Sequence, residues 1–337
     1  MRVQHNISLK KYNTFGIDVK ATNFVEATSI FSLKHILDLP LKNYFLIGGG
    51  SNMLLTQNIT DKLVIHVNIK GKEIIKEDGD FIWVTAQAGE NWHDFVIWCV
   101  QRGFGGLENM SLIPGNVGTA PIQNIGAYGK ELKDNFVNCT ALEIATQKVK
   151  IFTKEDCQFG YRNSVFKNEL KEQFIITSVT FKLTKHNHTI SVSYGDIEDE
   201  LAKKKIKTPN IKQVSNAIIA IRNAKLPDPK VLGNSGSFFK NPIISKKAFD
   251  TFISKFPDAP NYVISDTEVK IPAGWLIDQA GFKGKRFDDA GVHKNQALVL
   301  VNYGNATGQE IWDLAMLIQN TVFEKYGIMI TPEVNVY

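Results

Sequence analysis

At 337 residues the chain is too long for one ordinary hydrophobic core, so we expect two or three domains. A hydrophobic content of 43% and a charged content of 22% are typical of a soluble globular protein. The net charge of +5 suits small anionic ligands but is too weak to indicate a nucleic-acid partner.

Cysteine usage and hydropathy narrow the class of protein further. The three cysteines lack C-x-x-C spacing, which argues against a disulfide framework and against a structural zinc site. No signal-peptide pattern is present, and no apolar run is long enough for a transmembrane helix. The sequence therefore predicts a cytoplasmic protein with no membrane segment and no metal centre.

The first half of the chain alternates predicted strands with short helices. Ser32 is predicted to cap one helix and Asn91 a second, on which His93 is expected to be solvated. Strands are indicated by β-branched and aromatic content at Tyr44–Ile47, Lys62–Asn68, Phe81–Gln87, Val137–Ala145, Lys148–Phe152, Phe174–Leu183 and Ile190–Gly195.

The second half is richer in helices. Thr208 and Pro209 predict the start of a helix, as cap and first helical residue. The prolines of Leu226–Lys230 then indicate a rigid linker and a domain boundary. The segments after the linker predict a compact α+β lobe: a helix after Ser245, a short helix within Ile271–Ala280, a strand at Ala297–Asn302, and a long helix from the capping box Thr307–Glu310 to Gly327.

Two glycine-rich loops carry the functional signal. Gly48–Asn52, the first glycine loop, follows a predicted buried strand, as phosphate-binding loops do. It matches neither the G-x-G-x-x-G fingerprint nor a Walker A loop. Pro114–Gly129, the second glycine loop, has four glycines that allow positive φ and expose bare backbone N–H groups to an anion. An ordinary glycine-rich surface turn is the alternative for this second loop.

The two loops together resemble the flavin-binding pattern of the vanillyl-alcohol-oxidase-type FAD domain. The amino-acid sequence of the second loop is similar to that of one family in particular, the UDP-N-acetylenolpyruvoylglucosamine reductases of bacterial peptidoglycan synthesis. Tyr161-Arg162, Gly236–Asn241 and Pro332–Val334 occur in that family's order, so the resemblance covers nearly the whole chain. The segment around Tyr194 fits the longer (type I) form of the family.

The resemblance implies an α+β fold: a vanillyl-alcohol-oxidase-type (PCMH-type) FAD-binding domain of two α+β lobes, and a C-terminal α+β substrate-binding domain. The implied boundaries are residues 1–67 with 327–337 for the first lobe, 68–226 for the second, and 227–326 for the substrate domain. Family members can continue well past Pro332–Val334, whereas this chain ends at Tyr337.

The resemblance also implies a reaction. NADPH would reduce a tightly but non-covalently bound FAD, and the flavin N5 would deliver hydride to the enolpyruvyl CH2 carbon of UDP-N-acetylglucosamine enolpyruvate. A serine would then protonate the neighbouring carbon to give UDP-N-acetylmuramate. The expected partner is this small-molecule substrate alone, with no nucleic acid and no membrane, and a monomer is expected.

Site residues are carried over position by position. The implied catalytic residues are Arg162, Ser237 and Glu333. Implied FAD contacts are Gly48, Gly49, Gly50, Ser51 and Asn52 of the first loop, and Gly115, Gly118, Thr119, Ile122, Asn124, Ile125, Gly126 and Ala127 of the second. Implied substrate contacts are Tyr128, Tyr161, Tyr194, Lys225, Asn241 and Gln296.

Judged by residue type alone, each of these positions has an ordinary alternative. Arg162 and Glu333 could be surface charges, Ser237 a hydrogen-bonded loop residue, Tyr194 a core-edge tyrosine, and Lys225 a cation that complements a helix dipole. Two rival functions also stay open: an FAD-dependent oxidase of the same fold, and a UDP-sugar-binding protein without turnover.

Overall fold

The computed structural model describes residues 2–337, which divide into two compact units. The first unit comprises the chain up to Ile7 together with Ala21–Gly49 and Thr60–Ala224. The second comprises Ser8–Lys20, Gly50–Ile59 and Lys225–Tyr337. Both units are therefore discontinuous in sequence.

The chain forms seven α-helices of seven or more residues among the residues that the structure describes. They are α1 (Ile30–Leu37), α2 (Trp92–Gln101), α3 (Ile197–Lys203), α4 (Ile211–Lys225), α5 (Lys246–Lys255), α6 (Ala273–Gln279) and α7 (Gly308–Tyr326). Within residues 2–337, none of these helices combines the length and apolar character that crossing a bilayer requires.

The strands are short and mostly antiparallel. They are β1 (Gln4–Ser8), β2 (Lys20–Ala27), β3 (Tyr44–Ile47), β4 (Met53–Leu54), β5 (Ile59–Val67), β6 (Lys72–Asp78), β7 (Phe81–Gln87), β8 (Gly126–Ala127), β9 (Lys130–Glu131), β10 (Phe136–Glu143), β11 (Val149–Thr153), β12 (Phe174–Thr184), β13 (Ile243–Ser245), β14 (Tyr262–Val263), β15 (Glu268–Lys270), β16 (Arg286–Phe287), β17 (Ala290–Val292), β18 (Leu300–Asn302) and β19 (Asn335–Val336).

Two sheets, each with its own helix, build the first unit. The four-stranded sheet has the order β1-β2-β5-β3, and α1 buries Leu33, Ile36 and Leu37 in the core beside it. The five-stranded antiparallel sheet has the order β11-β10-β12-β7-β6, and α2 packs Trp92 and Phe95 into its core. Helices α3 and α4 share a third apolar cluster. Burial of these faces removes apolar surface from water, which is the main stabilising term.

The second unit is built from small sheets and three helices. Strands β13, β15 and β14 form one sheet and β16, β17 and β18 another, while β19 pairs in parallel with β4. Phe252 of α5, Trp275 of α6 and Tyr326 of α7 are in ring contact, with centroids between 6.0 and 6.3 Å apart. These aromatic contacts hold the three helices together.

Most predicted elements are confirmed. Strand β3 and strand β7 have the predicted bounds, Asn91 caps α2, and the Thr307 capping box begins α7. Gly327, with φ of +66°, ends α7 in the left-handed conformation that favours glycine.

Three local predictions were wrong. Ser29, not Ser32, caps α1, because the Ser29 hydroxyl accepts the N–H of Ser32 and Ser32 completes the box. Asn210, not Thr208, begins α4, because the side chains of Asn210 and Gln213 each accept the other's backbone N–H at 2.9 Å. The predicted strand at Ile190–Gly195 is irregular backbone.

Candidate functional site

The two glycine loops meet inside the first unit. A Cβ atom on Gly49 would lie 2.8 Å from the Cα of Gly115 and 2.9 Å from the Asn116 side-chain oxygen. A Cβ on Gly48 would lie 2.7 Å from the Thr119 methyl group. Only glycine allows this backbone-to-backbone approach, so the two loops form one structure although 65 residues separate their glycines in sequence.

Backbone hydrogen bonds fix the first part of the second glycine loop. Gly115 accepts the N–H of Trp92 at 3.0 Å, and the N–H of Gly118 donates to the Ala88 carbonyl at 2.9 Å. A Cβ on Gly118 would lie 2.4 Å from that of Ala88. The start of α2 and the end of β7 therefore position this loop.

Several N–H groups of the paired loops remain available to a ligand. Within residues 2–337, the N–H groups of Gly49, Gly115 and Asn116 donate no hydrogen bond to the protein. Main-chain N–H groups without a protein acceptor can bind an anion such as a pyrophosphate. The residues present therefore fit the phosphate part of FAD.

The rest of the first glycine loop belongs to the second unit. Gly50 has φ of +62°, and a Cβ there would lie 2.0 Å from the Tyr12 carbonyl oxygen. Its own carbonyl accepts the N–H of Thr14 at 3.0 Å. Asn52 accepts two hydrogen bonds from Asn335 at its carbonyl, so the C-terminal strand supports the loop.

Asn124, predicted as a cofactor contact, directs its side chain into the protein. It is fully buried, donates to Glu131 at 3.0 Å and to the Gly160 carbonyl at 3.1 Å, and accepts the N–H of Lys133 at 3.1 Å. Its side chain therefore joins the second glycine loop to the segment that carries Arg162.

Arg162 lies against the same loop. Its guanidinium Nη2 donates to the carbonyl of Gly126 at 2.8 Å, and its own φ is +53°. Ser164 donates to the carbonyl of Ile122 at 2.7 Å. Tyr161 is exposed, and the Arg162 guanidinium lies 5.5 Å from the centre of its ring. The predicted pair Tyr161-Arg162 is thus held beside the second glycine loop.

Ser237 and Glu333 come together in the second unit. The segment around Ser237 pairs with Val299 on one side, and on the other the N–H of Glu333 donates to the Phe238 carbonyl at 2.7 Å. Ser237 is exposed, and its hydroxyl bonds to no other group within residues 2–337. That hydroxyl is available as a donor.

Asn241 and Gln296 each use the side-chain oxygen within the protein and leave the side-chain nitrogen available to an acceptor. The Asn241 side-chain oxygen accepts the N–H of Ala273 at 2.9 Å, and the Gln296 oxygen accepts that of Leu298 at 3.4 Å. Neither amide nitrogen bonds to another group of residues 2–337. Each side chain therefore presents N–H donors, which suit a carboxylate or carbonyl.

The predicted site residues fall into two groups. Arg162, Tyr161, Tyr128 and Tyr194 belong to the first unit with most of the loop glycines, whereas the second unit holds Ser237, Glu333, Asn241, Gln296 and Lys225, the last residue of α4. Among residues 2–337, no group of three His, Cys, Asp or Glu side chains is arranged to hold a metal ion.

Sequence reasoning missed a supporting contact of the second loop. His93, predicted to be solvated, accepts the N–H of Leu112 at its Nδ1 at 2.9 Å. Arg222 Nε donates to the carbonyl of the same Leu112 at 3.2 Å, and Leu112 has φ of +60°. The prediction that His93 is solvated was wrong. Helix periodicity does not show which residues outside the helix, here Leu112, pack against it.

Comparison with known proteins agrees with this geometry. Residues 23–153 match the model of the FAD binding domain, so the fold and the paired glycine loops define a flavin-binding oxidoreductase. Residues 228–337 match the C-terminal domain of UDP-N-acetylenolpyruvoylglucosamine reductase. The chain belongs to the UDP-N-acetylenolpyruvoylglucosamine reductase family, as its sequence predicted.

Relatives of that name match over their full length. The one from Flavobacterium johnsoniae is 65% identical, with 100% of each chain covered. That from Amoebophilus asiaticus is 47% identical over 100% of this chain and 99% of its own. The crystal structure of the Thermus caldophilus enzyme has a TM-score of 0.68 at 24% identity, covering 100% of this chain and 99% of that one. The predicted fold class is therefore confirmed.

Proposed function

We propose that this chain reduces UDP-N-acetylglucosamine enolpyruvate to UDP-N-acetylmuramate, with non-covalently bound FAD and with NADPH as reductant. The observation that carries the proposal is the packing of Gly49 against Gly115, which supports a flavin pyrophosphate site in a chain that belongs to the reductase family. We further propose that it acts as a cytoplasmic monomer on a precursor of peptidoglycan.

FAD would be held by the two glycine loops. Gly48–Asn52 and Gly115–Thr119 would supply N–H groups to the pyrophosphate, while Ile122–Ala127 would supply main chain and apolar surface to the rest of the cofactor. When bound, FAD would supply the hydride chemistry between NADPH and the substrate alkene.

Arg162 would meet the negative charge that develops on the substrate. Reduction of an alkene conjugated to a carboxylate leaves an enolate-like charge, which needs donors placed in advance. The guanidinium is planar and permanently charged, and its bond to Gly126 fixes its orientation. Glu333 would assist either in its protonated form or by orienting another group, since an ionised carboxylate would repel the charge.

Ser237 would protonate the second carbon of the enolate. An enolate is basic enough to take a proton from an unperturbed hydroxyl, and the Ser237 hydroxyl has no competing partner within residues 2–337. The proton leaves the Ser237 oxygen and forms the new C–H bond, and water can restore it to the serine afterwards.

The other predicted contacts would recognise the UDP-sugar. Asn241 and Gln296 offer N–H donors to acceptors of the substrate, and Lys225 would face its diphosphate. Tyr128, Tyr161 and Tyr194 would add phenol groups and flat apolar surface.

An anaerobic stopped-flow experiment tests the proposal. The flavin absorbance of the purified protein is followed while NADPH is added, and then UDP-N-acetylglucosamine enolpyruvate. Bleaching by NADPH and recovery only on adding this substrate are expected. Recovery with oxygen but not with substrate would instead favour an oxidase, and a protein that cannot be loaded with FAD would overturn the proposal.

A further inference from the structure

Two tyrosines of the first unit, Tyr128 and Tyr194, are in ring contact, and each also lies against the glycine that follows the other. The rings of Tyr128 and Tyr194 lie 6.4 Å apart and nearly perpendicular, at 85°. A Cβ on Gly129 would lie 3.5 Å from Tyr194, and one on Gly195 would lie 3.8 Å from the Tyr128 ring. Each ring therefore covers the glycine that follows the other, and we call these four residues the tyrosine clasp.

The clasp has two arms, the Tyr128 turn and the irregular segment that ends at Tyr194 and Gly195, and regular secondary structure alone holds neither of them. Tyr128 and Gly129 form the tight turn between β8 and β9, with φ of +50° and +78°, which is a strained conformation for a tyrosine. Tyr194 lies at the end of the irregular segment that begins near His188, and Gly195 has φ of +64°. A hydrogen bond from outside the two segments can therefore restrain them relative to one another.

One buried amide joins both arms. Asn109, only 1% exposed, lies in the short 3-10 helix Glu108–Met110. Its side-chain nitrogen donates to the carbonyl of Tyr128 at 3.1 Å and to the carbonyl of Ser191 at 2.9 Å. Both hydrogens of this NH2 group are thus used, one on Tyr128 of the clasp and one on Ser191, which precedes Tyr194 in the same irregular segment.

We propose that Asn109 is a positioning residue for recognition of the UDP-sugar. By joining the Tyr128 turn to the Ser191–Gly195 segment, it sets the separation of the two rings before the substrate arrives, and preorganisation of this kind lowers the cost of binding. The inference rests on the proposed function, in which Tyr128 and Tyr194 contact the substrate. Asn109 would act through these two segments, since its side-chain N–H groups are already used within the protein.

Steady-state kinetics of Asn109→Ala separate this role from a general structural one. Losing both hydrogen bonds is expected to raise KM for the UDP-sugar about tenfold. At saturating substrate kcat stays within about twofold, because the reacting groups are untouched. The rate of flavin reduction by NADPH is expected to be unchanged. Asn109→Ser keeps one short donor and is expected to give a smaller rise in KM.

Asn135→Ala is the matched control. Its side-chain amide also donates to a main-chain carbonyl, that of Lys182, at 3.1 Å, but it joins a turn to β12 and not the clasp. It is expected to leave KM unchanged. In the double variant Asn109→Ala with Tyr194→Ala, KM is expected to match that of Tyr194→Ala alone, because Asn109 acts through the clasp.

Hydrogen exchange of the substrate-free enzyme tests the same inference without turnover. Amides of residues 188–196 are expected to exchange faster in Asn109→Ala than in the wild type. In Asn135→Ala these amides are expected to exchange at the wild-type rate. Unchanged exchange, an unchanged KM, or additive KM effects in the double variant would each overturn the inference. A wild-type enzyme that binds FAD but does not convert the UDP-sugar would overturn the proposed function instead, and the exchange comparison would still stand.

Discussion

The Arg162 guanidinium donates a 2.8 Å hydrogen bond to the carbonyl of Gly126, in the loop that the sequence marks for flavin binding. Two more bonds join the same segments, from Asn124 to Gly160 at 3.1 Å and from Ser164 to Ile122 at 2.7 Å. A non-glycine residue at φ of +53° is strained, and such strain persists only where the surroundings over-determine it. These three bonds provide that restraint, so Arg162 is fixed beside the second glycine loop.

We expect Arg162→Lys to lose activity although the charge is retained. An ammonium lacks the planar guanidinium, which can donate to the Gly126 carbonyl and still offer N–H groups to the proposed substrate carboxylate. The loss in kcat is expected to be about 10²–10³, the range found when one charge-stabilising donor is removed. Arg102→Lys, at the exposed end of α2, is the control and should retain full activity. Equal rates for wild type and Arg162→Lys would rule out a transition-state role for the fork.

Ser237→Ala should separate the two half-reactions. Product formation is expected to fall by about 10²–10⁴ because the proposed proton donor is lost. FAD content and bleaching by NADPH are expected to be normal, because Ser237 lies outside both glycine loops. The measurement is stopped-flow absorbance with product analysis. Ser254→Ala, an exposed serine of α5, is the control, and unchanged product formation in Ser237→Ala would show that another group supplies the proton.

Gly49→Ala should weaken flavin binding by separating the two loops. The added methyl would lie 2.8 Å from the Gly115 Cα, so backbone must shift, at a cost of about 1–3 kcal/mol. We expect purified Gly49→Ala to carry less FAD per chain and to melt at a lower temperature. Gly79→Asn is the control, because a Cβ there meets nothing within 4 Å and asparagine tolerates its φ of +54°. Full flavin content in Gly49→Ala would contradict the packing argument.

His93 should make folding stability depend on pH. Burial lowers the pKa of His93, Asp94 opposes this shift and Arg222 adds to it. As the pH falls below about 6.5, the unfolded chain therefore takes up the proton first. The stability contribution of His93 is complete above that pH and is lost as the pH falls towards the folded pKa. Protonation would also remove the acceptor for the Leu112 N–H.

His93→Asn tests this pH dependence. Asparagine offers an acceptor oxygen near the position of Nδ1 but does not titrate, so its melting temperature should fall less between about pH 7.5 and 5. Burial lowers the pKa of His293 as well, with Lys294 adding to the shift, but His293 is present in both proteins. The difference between the two melting curves therefore isolates His93. Parallel curves would mean that His93 does not drive the effect.

Local elements were predicted best where the signal lies within a few residues. Helix α7 begins at a reciprocal capping box and ends at a left-handed glycine, and both features depend on residues adjacent in the chain. The irregular Ile190–Gly195 segment was missed because its alternating residues resemble a strand, whereas the Ser191 carbonyl is bonded by Asn109, 82 residues away.

By itself the sequence determined the two glycine loops, the caps, the apolar faces and the family, because backbone freedom, capping and periodicity are short-range properties. Only the tertiary structure decided that Gly49 packs on Gly115, that Asn124 supports the Arg162 segment, and that Asn109 joins two tyrosine-bearing segments. Each of these contacts unites residues far apart in the chain. Their geometry depends on how sheets and loops pack, which no local pattern encodes.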